Sequence, residues 1–355
     1  MPPGSSMERV EKYDDAALQR EVNRLQDRQE RRQLSELEKR RLQFLQAVDR
    51  DALLGDVRHL HVTYGKRREL GRRTASYPSY QFCPSSLRSL LGGRFYHDID
   101  IVNCHPTLFL QVATRMGVNP ATLPRLREYV TDRDAVLARI ADFYGTSPSS
   151  AKNAVLRILN GGSIGAWAHD ARCLRNVHES QPDLRDLEDV RRVVQTAFFE
   201  MDEFRPHVAS LTPSLVASRT SDLMDAEARR DAAETPRERQ DAQNALRAAR
   251  GKASTSAIER SVFSLCVFEL EDRILSALDD SFRQQGWTVS SLQFDGMHVE
   301  HRADANLVDA MERAAAAVTE NLGYTIRLKE KELFAAGGAE EEENAAVTGI
   351  EDESG

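Results

Sequence analysis

The chain has 355 residues, enough for one large domain or two ordinary ones with a substantial core. Its hydrophobic fraction of 41% and charged fraction of 29% fit a globular protein rich in helix surface, and no apolar run approaches the about 18 residues of a membrane span. The opening MPPGSSMERVEKYDD lacks the apolar core of a signal peptide, which points to an intracellular protein, and Cys83, Cys104, Cys173 and Cys266 are too scattered for a zinc cage or a disulfide framework.

The net charge of −8 is unevenly spread. Residues 336–355 carry seven acids and no Lys or Arg, so the remainder is close to neutral, at −1. This tail reads as disordered and solvating. Within the remainder, residues 57–74 concentrate six basic side chains against one acid, a local surface suited to phosphates whatever the global sign.

In chain order, residues 1–14 read as a disordered N-terminus. Residues 15–55 are rich in helix formers, with apolar stripes at Leu18, Val22 and Leu25 and at Leu34, Leu37, Leu45 and Val48, broken at Gln29 and Arg32. That pattern predicts a helical arm or hairpin, with broken heptads for a dimerising coiled coil. HLHVTY, residues 59–64, reads as a strand, and residues 74–90 are turn-rich around Pro78 and Pro84.

The stretch FYHDIDIV, residues 95–102, predicts a buried strand, and Pro106 opens a helix with an apolar face from Thr107 to Val112. A further helix is expected over AKNAVLRIL, with Gly161 and Gly162 as its stop. Residues 183–205 read as helix, 212–256 as a charged, Ala-rich surface excursion, and Ile258 to Leu278 as an amphipathic helix. WTVSSLQFDGMHVE reads as two strands joined at Asp295-Gly296, the favoured type I′ dipeptide; a helix over 304–322 and a strand in YTIRLKEKELF follow. Helices between separated strands, with an antiparallel hairpin, predict an α+β fold with helices on one face of a small antiparallel sheet.

Asp98 and Asp100 are acids in an apolar strand, a costly placement unless they meet a cation, a basic partner or solvent. Two readings follow: a metal site, or a solvent-facing strand end with Asn103 as a helix cap. Asp295 is, on its own, a turn former. Together with Asp100 it gives one carboxylate at a strand end and another at a hairpin tip, one way for a fold to set two carboxylates beside a pair of divalent ions.

Four segments in order resemble the motifs of family A DNA polymerases and the related single-subunit phage-type RNA polymerases. GRRTASYPSYQFCP, residues 71–84, is similar to the family's GRLSSSxPNLQNIP segment, with Arg72, Ser76, Pro78, Gln81 and Pro84 on its characteristic types. DIVNCHPTLF resembles the first palm motif, with Asp100 at the metal-binding aspartate and His105 where the family screens the sugar; AKNAVLRILNG resembles the fingers helix, with Lys152 on its lysine. LQFDGMHVE resembles LQVHDELVFE, with Asp295 at the second metal aspartate. Pro148 stands where the family has an arginine, Asn160 where it has an aromatic, and Gly296 where it has an acid; the first palm motif also shades towards family B.

The resemblance, covering about residues 60–335, implies a right-hand polymerase: palm and fingers over 56–335 and a reduced thumb in the N-terminal helices. It implies two Mg²⁺ ions, with Mn²⁺ as a substitute, held by Asp100, Asp295 and the carbonyl of Ile101, with Asp98 as the rival ligand. Lys152, Arg157, Asn160, His105 and Asn103 would face the nucleoside triphosphate, while Arg72, Arg73, Gln81, Lys66, Arg67 and Arg68 would meet the DNA template-primer. The expected activity is that of a minimal DNA polymerase without a proofreading exonuclease. An RNA polymerase or primase, a metal-dependent nuclease using the same aspartates, and a helical scaffold docking through the arm at 15–50 and the excursion at 222–252 are the alternatives; a protein partner would meet the N-terminal helical arm or the acidic tail.

Overall fold

The structure, a computed structural model, describes residues 6–50, 52–66, 68–162, 164–170 and 182–331. The acidic tail, Arg67 and Cys173 therefore lie outside the described residues. Two compact units divide the chain: Met1–Thr107 with Glu269–Gly355, and Leu108–Phe268.

The first unit begins with β1 (Met7–Asp14), α1 (Asp15–Arg31), α2 (Glu36–Val48), β2 (Ala52–Leu54), β3 (Val57–Gly65), β4 (Thr74–Ala75), α3 (Ser85–Gly92) and β5 (Tyr96–Ile101). Helix α4 (Cys104–Arg115) leads into the second unit, which holds α5 (Pro124–Thr131), α6 (Arg133–Tyr144), α7 (Pro148–Leu159), α8 (Ile164–Asp170), α9 (Pro182–Glu200), α10 (Arg205–Ala232) and α11 (Pro236–Lys252). Helix α12 (Thr255–Gln284) returns to the first unit, completed by β6 (Val289–Gln293), β7 (Gly296–Glu300), α13 (Leu307–Leu322) and β8 (Leu328–Lys331).

The first unit contains two antiparallel sheets, in orders β1-β3-β2, with β4 on β3, and β6-β7-β5-β8. Strand β3 alternates as a half-buried strand must, with Leu60, Val62 and Tyr64 inward and His61 and Thr63 outward. Every residue of β6 is buried, because the strand is covered on both faces. Tyr64 links the sheets directly: its hydroxyl lies 3.1 Å from Ser291 Oγ and accepts from the Leu292 N–H at 3.1 Å.

Residues 7–14, expected to be disordered, form β1, a correction with a clear physical cause. Met7, Glu11 and Tyr13 point inward at period two, and the Glu11 carboxylate gathers three donors, Tyr13 Oη at 2.6 Å, Tyr64 Oη at 3.0 Å and the Tyr80 N–H at 2.7 Å. Stripe spacing too short to register in sequence is thus fixed by a buried acid with tertiary partners. In the arm, the apolar stripe breaks where α1 ends, and Ser35 and Glu38 restart the chain with a capping box.

The second unit is helical. Helix α7 buries Ala151, Ala154, Val155, Ile158 and Leu159, while Lys152 and Leu156 occupy its half-exposed side. Helices α10 and α11 form the expected excursion, burying only Leu215 and Ala226 on one helix and Leu246 on the other. No helix among the described residues is long and apolar enough to cross a membrane.

Candidate active site

Strand β5 carries Asp100 near its C-terminal end, opposite Gly296 of β7, and Ile101 donates its N–H to the Asp295 carbonyl at 3.0 Å. The end of β5 and the β6–β7 hairpin tip are therefore locked together by the backbone. Because Gln293 pairs with Gly296, the two-residue loop is Phe294-Asp295, one residue earlier than the Asp-Gly pair predicts. Phe294 takes the left-handed φ of +41°, an uncommon conformation for a bulky residue. Gly296 is needed for another reason: a Cβ there would lie 2.5 Å from the Ile99 carbonyl oxygen and 3.0 Å from Asp100 Oδ1. Close approach of β5 to β7, rather than turn geometry, explains the glycine where the resembling family has an acid.

The two carboxylates feel one another. Burial, then the charges of Asp100 and Glu271, push the Asp295 carboxyl up to about 7, against the pull of Lys331 and His105. Lys331 Nζ lies 3.0 Å from Asp100 Oδ2, and although burial works against its charge, Asp100 and Asp295 raise its affinity for the proton.

Asp98 belongs to a different neighbourhood. It is buried opposite His298, whose Nε2 is 3.9 Å from its Oδ1. Burial pushes His298 down to about 4, so the imidazole is neutral at physiological pH, stacked on Tyr96 with ring centroids 5.4 Å apart. Asp100, not Asp98, is the acid that joins Asp295.

A third carboxylate, Glu271 of α12, was not anticipated. It is buried, with Oε2 3.0 Å from His105 Nε2 and Oε1 3.7 Å from Arg72 Nη1. Burial would raise its pKa, but Arg72 and His105 outweigh that and hold it below the ordinary carboxylate range. The Arg72 guanidinium also stacks on Phe294, 4.5 Å from the ring centroid. The sequence signal is present in FELEDRIL, three acids and one arginine among the apolar residues of a helical segment.

Those acids pair with part of the expected basic phosphate surface. Lys66 pairs with Glu269 at 2.7 Å and Asp272 at 3.1 Å, and Arg73 is buried against Asp272 at 2.8 Å, with its Nη2 donating to both the Asp272 carbonyl and Ser276 Oγ. Gln81 is also buried, accepting from the Ala75 N–H and donating towards the Arg73 and Leu292 carbonyls, so it braces the loop against β6 rather than facing a ligand. Arg68 is exposed. Arg67 lies outside the described residues.

Asn103 has φ +50° and its carbonyl accepts from the Thr107 N–H at 2.9 Å, so it turns the chain from β5 into α4. Cys104 beside it is a buried thiol held protonated by burial and by Glu271, Asp295 and Asp100. Asp100, Asp295, Ile101, Asn103, His105 and Arg72 thus converge in the first unit.

Lys152, Arg157 and Asn160 belong to the second unit, along the half-exposed side of α7 and its end. Asn160, Gly161 and Gly162 line a cleft of about 470 Å³ with Glu188, Arg191 and Arg260. Gly161 takes φ +91°, and a Cβ on it would strike the Arg260 side chain at 2.4 Å.

No protein-family model matches the chain, and no curated protein matches it. Among solved structures it is similar to the POL domain of Pol1 from M. smegmatis, in complex with DNA primer-template and dNTP, with a TM-score of 0.49 and 10% sequence identity. The match covers 86% of this chain and 52% of that one, so the chain spans about half the length of that structure.

Proposed function

We propose that the chain is a template-directed nucleotidyltransferase, a minimal DNA polymerase that extends a primer without a proofreading activity of its own. The observation that carries this reading is the convergence of Asp100 and Asp295 at the locked end of β5 and the hairpin tip, close enough for each charge to act on the other.

The donor set fits Mg²⁺. Mg²⁺ keeps several waters and takes one or two carboxylates, and hard oxygens at Asp100, Asp295 and the Ile101 carbonyl match that need. Bound there, two Mg²⁺ or Mn²⁺ ions would supply charge stabilisation to the attacking and leaving oxygens of an in-line displacement at phosphorus.

The chain's own residues divide the remaining work. Asp100 and Asp295 would hold those ions. Glu271 fixes the His105 imidazole, which in this reading lies against the sugar of the incoming nucleotide. Arg72, braced by Glu271 and Phe294, is the primer-side cation.

The test is extension of a labelled primer on a DNA template with Mg²⁺, with dNTPs and rNTPs in parallel. Extension by dNTPs is expected; a preference for rNTPs without a primer would make the chain an RNA polymerase or primase. Degradation of DNA by the chain with Mg²⁺ and no nucleotides would make it a nuclease, and no reaction by the folded chain would leave the scaffold reading.

A further inference from the structure

Lys331 is the last residue of β8, whose register against β5 pairs Asp98 with Lys331 and Asp100 with Lys329. Cross-strand partners project from one face, as do residues two apart on a strand, so Lys331 shares its face with both aspartates. It reaches diagonally to Asp100 Oδ2 at 3.0 Å, while its side chain remains 45% exposed. The contrast with Lys66 is informative: that ammonium is 26% exposed and joins two buried acids, Glu269 and Asp272, as a fixed element of the fold. Lys331 instead approaches the carboxylate pair from the solvent side, on a flexible four-carbon stem that can swing away.

We propose that Lys331 is the resident counter-ion of the Asp100–Asp295 pair and competes with a divalent cation for Asp100, so that it sets the metal affinity of the site. The inference rests on the reading of those aspartates as metal ligands. A divalent ion bonded to the Asp100 carboxylate would sit within a few ångströms of the ammonium, and two cations at that spacing repel. The ammonium therefore has to leave Asp100 as the metal arrives, and metal binding carries the cost of breaking the ion pair.

Mn²⁺ binding by the full-length chain, followed through the electron paramagnetic resonance signal of free Mn²⁺, tests this without any turnover. Lys331→Met is expected to tighten binding by about tenfold, the scale on which one neighbouring charge acts on a carboxylate, and Lys331→Arg to stay near wild type. The gain should vanish in Lys331→Met combined with Asp100→Asn. Thermal melts of each variant report that it is folded. Binding by Lys331→Met where the wild type shows none would support the proposal equally. Unchanged or weaker binding in Lys331→Met, while Asp100→Asn still weakens it, would overturn the proposal and leave the metal reading standing. Absence of Mn²⁺ binding in wild type and Lys331→Met alike would overturn both.

Discussion

Asp295 holds its proton to about pH 7 in the folded chain, whereas an unfolded aspartate releases it near pH 4. Between those values the folded state binds the extra proton, so this group's contribution to stability falls as pH rises. Asp295→Asn should therefore stabilise the metal-free protein at pH 8 by roughly 1 kcal/mol, a figure scaled down for the solvent-facing edge of the site, and by nothing below pH 4. Urea unfolding at the two pH values checks both the size and the sign. Gly296→Ala should act in the opposite direction. Its Cβ meets the Ile99 backbone oxygen, which cannot move without β5, so a loss of about 2 kcal/mol is expected, together with weakened metal binding. A variant as stable as wild type would show that β5 and β7 can separate without cost.

At the scale of elements, β1 depends on one buried side chain. Glu11→Ala would leave the Tyr13 and Tyr64 hydroxyls and the Tyr80 N–H without their acceptor inside the core, and a loss of about 3 kcal/mol in denaturant unfolding is expected. Deleting residues 1–14 should abolish the near-ultraviolet circular dichroism of the folded chain, an outcome excluded if that segment were disordered. Comparison of the strands also shows where sequence is informative. Strands β5, β6 and β7 were legible because alternating apolar residues and a tight turn are local signals. Strand β1 was not, since MERVEKYD is mostly polar and its register comes from β3, some fifty residues away. The same holds for the basic segment before Thr74. Its charge density is visible in sequence, but the acids of α12 that neutralise Lys66 and Arg73 lie about two hundred positions later, and only the fold pairs them. Glu271 escaped notice for that reason, while Asp100 and Asp295 were marked by strand end and turn. The observed turn falls one residue before the Asp-Gly pair because the glycine serves strand contact.

For the molecule as a whole, the two units have different burdens. The first holds both sheets and the carboxylates; the second is helical, and its α10–α11 hairpin buries little beyond Leu215, Ala226 and Leu246. Shortening that hairpin by equal lengths from both helices at its tip should leave the unfolding midpoint within the scatter of surface changes, whereas a large loss would mark the hairpin as part of a core.

In the proposed function Asp100 and Asp295 are the catalytic pair, and Asp98 is a structural neighbour of neutral His298. The most direct measurement is the rate of single-nucleotide addition to a primer by Asp100→Asn, Asp295→Asn and Asp98→Asn in parallel with wild type, each shown to be folded. The first two should lose at least about a thousandfold, the scale of removing preorganised charge stabilisation at the reacting centre, while Asp98→Asn stays within about tenfold of wild type. Addition undiminished in Asp100→Asn or Asp295→Asn, or abolished in Asp98→Asn alone, would contradict it.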